Sequence, residues 1–133
     1  MVAVAIPLIS IVDDDYSVRD SLARLIRSVG FDVAMFASAE EFLNADQGAH
    51  ANCLILDIRM PGMSGLDLQR HLSAAQRDLP VIFITAHDSD GDVQARALGA
   101  GAVDYLLKPL SEEEVLKAIG TALRANRQPL RRL

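Results

Sequence analysis

The sequence predicts an α/β domain: a doubly wound five-stranded parallel sheet with helices on both faces. Three observations carry this. Five short apolar runs of strand length alternate with segments of helical period, the pattern of repeated βα units. Most of those runs are unbroken β-formers, as strands covered on both faces require. The polar residues able to do chemistry fall at the carboxyl ends of the runs, where open α/β sheets collect ligands. With 133 residues, 50% hydrophobic and 23% charged, the chain has an ordinary globular composition that excludes disorder and fits a single domain.

The first strand is expected over residues 8–12. Val18, Leu22, Leu25, Ile26 and Val29 then recur at helical spacing, and Gly30 supplies the left-handed stop of the first helix. A second strand follows over 32–36, and Ser38 with Glu41 has the capping-box pattern that opens the second helix. The third strand is expected over 53–56, the third helix over 65–75, the fourth strand over 81–84 and the fourth helix over 91–98. Asp88, Ser89, Asp90 and Gly91 crowd the start of that fourth helix, which is therefore expected to be weak and mobile. A fifth strand over 103–107 and a helix opened by Ser111 with Glu114 complete the pattern. Five βα units with right-handed crossovers and no room for further strands favour, by economy, the flavodoxin-like order 2-1-3-4-5. From Asn126 the chain carries Arg127, Pro129, Arg131 and Arg132 without apolar periodicity, so 1–125 reads as the domain and 126–133 as a linker stub.

Several function classes fall away. The lone Cys53 cannot form an intramolecular disulfide and is expected to be a small core residue in a reducing, cytoplasmic setting. Residues 1–8 are apolar but short and lack a basic flank, so neither a signal peptide nor a membrane span is expected. Thirteen basic against eighteen acidic residues give a net charge of −5, the wrong sign for covering DNA or an anionic membrane. His50, His71 and His87 are scattered, with no nucleophile elbow to recruit one. Gly99 and Gly101 follow a helix and precede a strand, the reverse of a dinucleotide loop.

The strand ends carry a denser signal. Asp13, Asp14 and Asp15 end the first strand, Asp57 the third and Thr85 the fourth, while Lys108 and Pro109 follow the fifth. In the expected order strands one and three are neighbours, so the acidic cluster and Asp57 face each other at the point where the order reverses. Carboxylates that close repel by ~4 kcal/mol per pair at 4 Å for an effective dielectric near 20, and a hard divalent cation is the natural offset. Oxygen-only ligands suit Mg²⁺ (or Mn²⁺) better than Zn²⁺. Lys108 adds a second positive centre and Thr85 a hydroxyl around an anion on Asp57, so a phosphoryl ligand is expected. Bland readings stand beside these. Asp15 suits the cap of a helix starting near Ser17, Thr85 alone is an ordinary strand residue, and Tyr105 alone is sheet packing. Asp57 is different, because Met60, Pro61, Gly62 and Gly65 after it make a turn too elaborate for a simple cap.

In the contexts IVDDD, LILDIRMPGMSG, IFITA and DYLLKP, these residues resemble the receiver domain of two-component response regulators, over about residues 8–123. The resemblance implies that Asp57 is the phospho-acceptor, that Asp13 and Asp14 hold Mg²⁺, and that the backbone carbonyl of Arg59 completes that site. It implies that Thr85 is the switch hydroxyl, that Lys108 pairs with the phosphoryl group, and that Tyr105 is the aromatic that turns inward on activation. A cis Lys108–Pro109 bond is usual in the family, and Arg59 and His87 occupy two variable positions that tune phosphoryl lifetime. VRDSL and FASAEEFL are similar to the FixJ-type regulators, which carry a C-terminal helix-turn-helix output domain. The implied partners are a sensor histidine kinase and a second copy through the fourth helix, fifth strand and fifth helix, with DNA reached only through an output domain. The implied chemistry is self-catalysed phosphoryl transfer and slow self-dephosphorylation rather than multiple turnover. Two alternatives remain: a haloacid-dehalogenase-like aspartyl phosphatase, or a stand-alone receiver or pseudo-receiver used for binding. The phosphatase class places its nucleophile on the first strand with an aspartate two residues on, whereas here Asp57 lies on the third and Arg59 fills that place.

Overall fold

The structure, a computed structural model, describes residues 6–46, 50–86 and 91–125. Among them the apolar runs form five parallel strands, β1 (Leu8–Val12), β2 (Asp32–Phe36), β3 (Cys53–Asp57), β4 (Val81–Thr85) and β5 (Asp104–Leu107). Their order is β2-β1-β3-β4-β5, as expected. The connecting helices are α1 (Tyr16–Ser28), α2 (Ala39–Asn44), α3 (Gly65–Ala74), α4 (Gly91–Gly99) and α5 (Glu112–Ala125). Ile9 lies opposite Val33 on one side and Cys53 on the other, so β1 and β3 are neighbours and the sheet changes direction between them.

Because strand side chains alternate between faces, the sheet divides the interior in two. Val12, Leu54, Leu56 and Phe83 point to one face and pack with Phe42, Leu68, Leu72 and Ala97 of α2, α3 and α4. Ile9, Ile11, Ile55, Ile82 and Ile84 point to the other and pack with Leu22 and Ile26 of α1 and Val115, Ala118 and Ile119 of α5. Burying each such aliphatic side chain contributes ~1.5–3 kcal/mol before the entropy of ordering the chain is subtracted. Cys53 belongs to the second layer, fully buried, and burial pushes its thiol up to about 12.

Several element ends differ from the sequence reading. β3 and β4 each run one residue further, because ladder pairing uses the backbone and is indifferent to a polar terminal side chain: Asp57 pairs with Ile84 and Thr85 with Leu107. β5 starts at Asp104 rather than 103. Asp15 is the N-cap of α1, accepting from the amides of Ser17 at 2.8 Å and Val18 at 3.4 Å. Ser38 caps α2 by accepting from Glu41 N–H at 3.0 Å, but the Glu41 carboxylate accepts from Ala37 N–H rather than from Ser38. The full reciprocal capping box is at α3, between Ser64 and Asp67, where the sequence reading placed none. Expectations for His87, Asp88, Ser89 and Asp90, for residues 1–5 and for the tail 126–133 lie outside the described residues.

Helices α1, α3 and α4 end in the same Schellman hydrogen-bond pattern. Phe31 N–H donates to Ile26 O, Arg77 N–H to Leu72 O and Ala102 N–H to Ala97 O. The left-handed residue is Gly30 (φ 98°) in the first and Gly101 (φ 100°) in the last, but Gln76 (φ 58°) in the middle one. A side chain in that region is strained where glycine is not. Gln76→Gly is therefore expected to stabilise the protein by ~0.5–1 kcal/mol, raising Tm by about 2–5 °C in a thermal melt; an unchanged or lower Tm counts against strain there.

Candidate functional site

The carboxyl edge of the sheet assembles the site from the ends of β1, β3, β4 and β5. Beyond β1, Asp13 N–H still donates to Phe36 O at 3.1 Å, which draws its side chain into the interior, where it is fully buried. Its Oδ1 accepts from Asp15 N–H at 2.8 Å and its carbonyl from Arg19 Nη1 at 2.6 Å. Asp57 closes β3 and is 4% exposed. Lys108 is held over β4 because its amide donates to Thr85 O at 2.8 Å. The lysine side chain then lies between two carboxylates, its Nζ 2.9 Å from Asp13 Oδ2 and 3.7 Å from Asp57 Oδ2. Carboxylate oxygens of Asp13, Asp14 and Asp57 all lie within 4.8 Å of one another.

Asp13, Asp14, Asp57 and Lys108, read separately from the sequence, thus converge. Thr85 is buried at the end of β4, tied to Lys108 through its carbonyl. Tyr105 is also buried, packed inward with Phe83 and Ala97. Arg59 is exposed, and its amide donates to the Asp57 carboxylate. The Lys108–Pro109 peptide is cis. Beside Lys108 a groove of about 350 Å³ opens between α1 and the β5–α5 connection, lined by Val18, Leu22, Leu25, Pro109 and Leu110.

Charge is poorly balanced here. Burial, then the neighbouring charge of Asp13, pushes the Asp57 carboxyl up to about 7; Asp14 adds to this, while Lys108 and the Arg59 amide oppose it. For Lys108 burial works to lower the pKa, but the contact with Asp13 and the charges of Asp57, Asp13 and Asp15 outweigh it, and the ammonium is held above its usual range. Asp13 Oδ2, fully buried, has the Lys108 ammonium 2.9 Å away as its neutralising partner, and among the described residues no second cation stands against the three carboxylates. Three carboxylates, all oxygen ligands, converging within 4.8 Å against a single lysine fit a hard divalent cation.

A pH dependence follows. A carboxyl whose pKa is raised in the folded chain binds its proton more tightly there, so its contribution to stability is full below about pH 4 and is lost as pH rises through about 7. In metal-free buffer, Tm is expected to fall between pH 5.5 and 8 by roughly 5 °C more in the wild type than in Asp57→Asn; parallel profiles would contradict the charge picture.

Two structural contacts at the site are not legible in the sequence. Arg19 reaches back past the N-terminus of α1 to the carbonyl of Asp13, six residues earlier in the chain. Glu40, in the first turn of α2, accepts from Met63 N–H at 3.1 Å and so ties α2 to the loop after Asp57. That loop is distant in sequence, and no local pattern predicts the pairing.

Such a sheet, with an acidic pocket and an apposed lysine at its switch point, defines an α/β module whose site suits a hard cation. Residues 9–120 match the response regulator receiver domain family model, and the chain belongs to that family. It is 48% identical over 117 residues to the response regulator protein TodT of Pseudomonas putida, covering 88% of this chain and 51% of TodT. It is 43% identical over 121 residues to nodulation protein W of Bradyrhizobium diazoefficiens, covering 91% and 53% of the two chains. Among solved structures it superposes on the response regulator StyR with a TM-score of 0.83 at 46% identity, over 92% of this chain and 61% of StyR. The chain spans about half the length of the curated relatives it matches. It is a receiver domain of the two-component response regulators, and the phosphatase alternative is not favoured. Among the described residues no helix is long and apolar enough to cross a membrane.

Proposed function

We propose that this domain takes a phosphoryl group from a sensor histidine kinase onto Asp57 and passes the change to a transcriptional output. The observation that carries this is the three-aspartate pocket with Lys108 Nζ 3.7 Å from Asp57 Oδ2. Asp13, Asp14, Asp57 and the Arg59 carbonyl would hold Mg²⁺ or Mn²⁺, which when bound neutralises charge on the transferring oxygens. An Asp57 oxygen forms the new P–O bond as the P–N bond of the donor phosphohistidine breaks, and the imidazole leaves with the electron pair. Lys108 then exchanges part of its contact with Asp13 for the new anion, and the Thr85 hydroxyl donates to a phosphoryl oxygen. Water later cleaves the acyl phosphate, returning the carboxylate and releasing inorganic phosphate.

The switch would run from Thr85 to Tyr105 and the face of α4, β5 and α5, where exposed Leu98 and Leu107 support docking of a second copy or an output domain. We place the domain at 1–125, with 126–133 as the linker toward a DNA-binding output, in the cytoplasm. Incubation with acetyl phosphate and Mg²⁺ tests the core of this reading. One acid-stable, base-labile phosphoryl group per chain is expected, and none when EDTA replaces the metal. Sustained turnover on small phosphoesters, or labelling indifferent to metal, would overturn it.

A further inference from the structure

Asp13 and Asp14 can serve one cation only if the peptide joining them is held in a fixed orientation. That peptide is a rigid plane containing the Asp13 carbonyl and the Asp14 nitrogen, so whatever grips the carbonyl restrains the backbone torsions on either side of it, from which both side chains branch. β1 has ended at Val12, and the Asp13 carbonyl accepts instead from Arg19 Nη1 at 2.6 Å. The arginine is itself braced. Its backbone amide donates to Asp15 O at 3.1 Å in the first turn of α1, and its guanidinium carbon lies 5.6 Å from the ring centre of Tyr16. Tyr16 is 70% exposed and contributes little to the core, which leaves its ring face open to the guanidinium.

We propose that Arg19 is a positioning residue for the acidic pocket, its guanidinium clamping the Asp13 carbonyl so that the carboxylates of Asp13 and Asp14 are preset for a divalent cation, with Tyr16 bracing the clamp. This rests on the cation-binding reading above. The sign of the effect separates positioning from bulk charge. Removing a cation near three carboxylates should, by Coulomb's law alone, tighten Mg²⁺ binding, whereas removing a clamp on the ligands should weaken it, as loss of partners that orient metal ligands does.

The test is calorimetric titration of MgCl₂ into the full chain and into Arg19→Ala, Arg19→Lys, Tyr16→Leu and the Arg19→Ala/Tyr16→Leu double variant. Arg19→Ala is expected to weaken binding about tenfold, and Arg19→Lys, which keeps the charge and one donor, to recover part of the loss. Tyr16→Leu should weaken it roughly two- to threefold alone and add nothing in the Arg19→Ala background, because the two act as one unit. In the metal-free protein, exchange of the Asp15 amide, whose bond to Asp13 Oδ1 depends on the same turn, should quicken in Arg19→Ala. Unchanged or tighter Mg²⁺ binding in a folded Arg19→Ala, or a Tyr16→Leu effect that persists without Arg19, would overturn the proposal. A wild-type chain that binds no Mg²⁺ would instead sink the cation-binding reading, and this inference with it.

Discussion

Asp57→Asn is expected to lose Mg²⁺-dependent labelling by acetyl phosphate by about 10³-fold or more while keeping its fold. The amide is nearly isosteric with the carboxyl group, so the 4%-exposed site at the end of β3 should still close around it. What disappears is the nucleophilic oxygen, and loss of a covalent nucleophile is among the most severe changes a site can suffer. A second effect has the opposite sense. Burial and Asp13 already push the Asp57 carboxyl up to about 7, so a neutral amide removes an uncomfortable charge and should raise the metal-free Tm at pH 8 by roughly 5 °C. Mass spectrometry and thermal melts check both. Persistent labelling in the variant would show that another residue is the nucleophile.

Gly65→Ala is expected to cost the protein ~3 kcal/mol or more, lowering Tm by at least about 10 °C. A Cβ at this position would lie 2.3 Å from Asp57 O and 2.9 Å from Ile58 Cα, both backbone atoms with no flexible side chain to yield. The contact is close because Gly65 N–H donates to Ile58 O at 2.9 Å, locking the start of α3 onto the end of β3. Relief requires moving either the capped helix or the strand end that carries Asp57, so labelling should fall even in the fraction that folds. Gly99→Ala is the control: a Cβ there meets nothing within 4 Å, and its Tm should hold or rise slightly. Equal effects at the two positions would show that helix propensity, not the contact with the backbone of Asp57, decides the outcome.

The layout of the sheet and the convergence of the site are legible in the sequence for one reason. In a doubly wound sheet, topology alone decides which strand ends meet, so Asp13 and Asp57 are brought together once β1 and β3 are recognised as neighbours. The strand-end positions of Thr85 and Lys108 already suggest a hydroxyl and a cation around an anion, whereas the switch roles of Thr85 and Tyr105 rest on resemblance alone. Strand ends were misplaced at Asp57 and Thr85 because the ladder continues under a polar side chain that the apolar pattern treats as a stop. The Ser64 cap was hidden by the turn-rich run before it. Arg19 and Glu40 act through long side chains reaching a carbonyl and an amide set by the turns of the chain, which leaves no mark on local composition.

The sealing of Cys53 inside the sheet has a practical corollary. It is the sole thiol of the chain, so a maleimide dye or nitroxide added to the native protein finds nothing to react with. A cysteine introduced on α4 or at the tip of any exposed turn would then take the label alone, with no background to engineer away. The natural thiol becomes reactive only when the sheet opens, and its slow modification reports global unfolding from within the same sample.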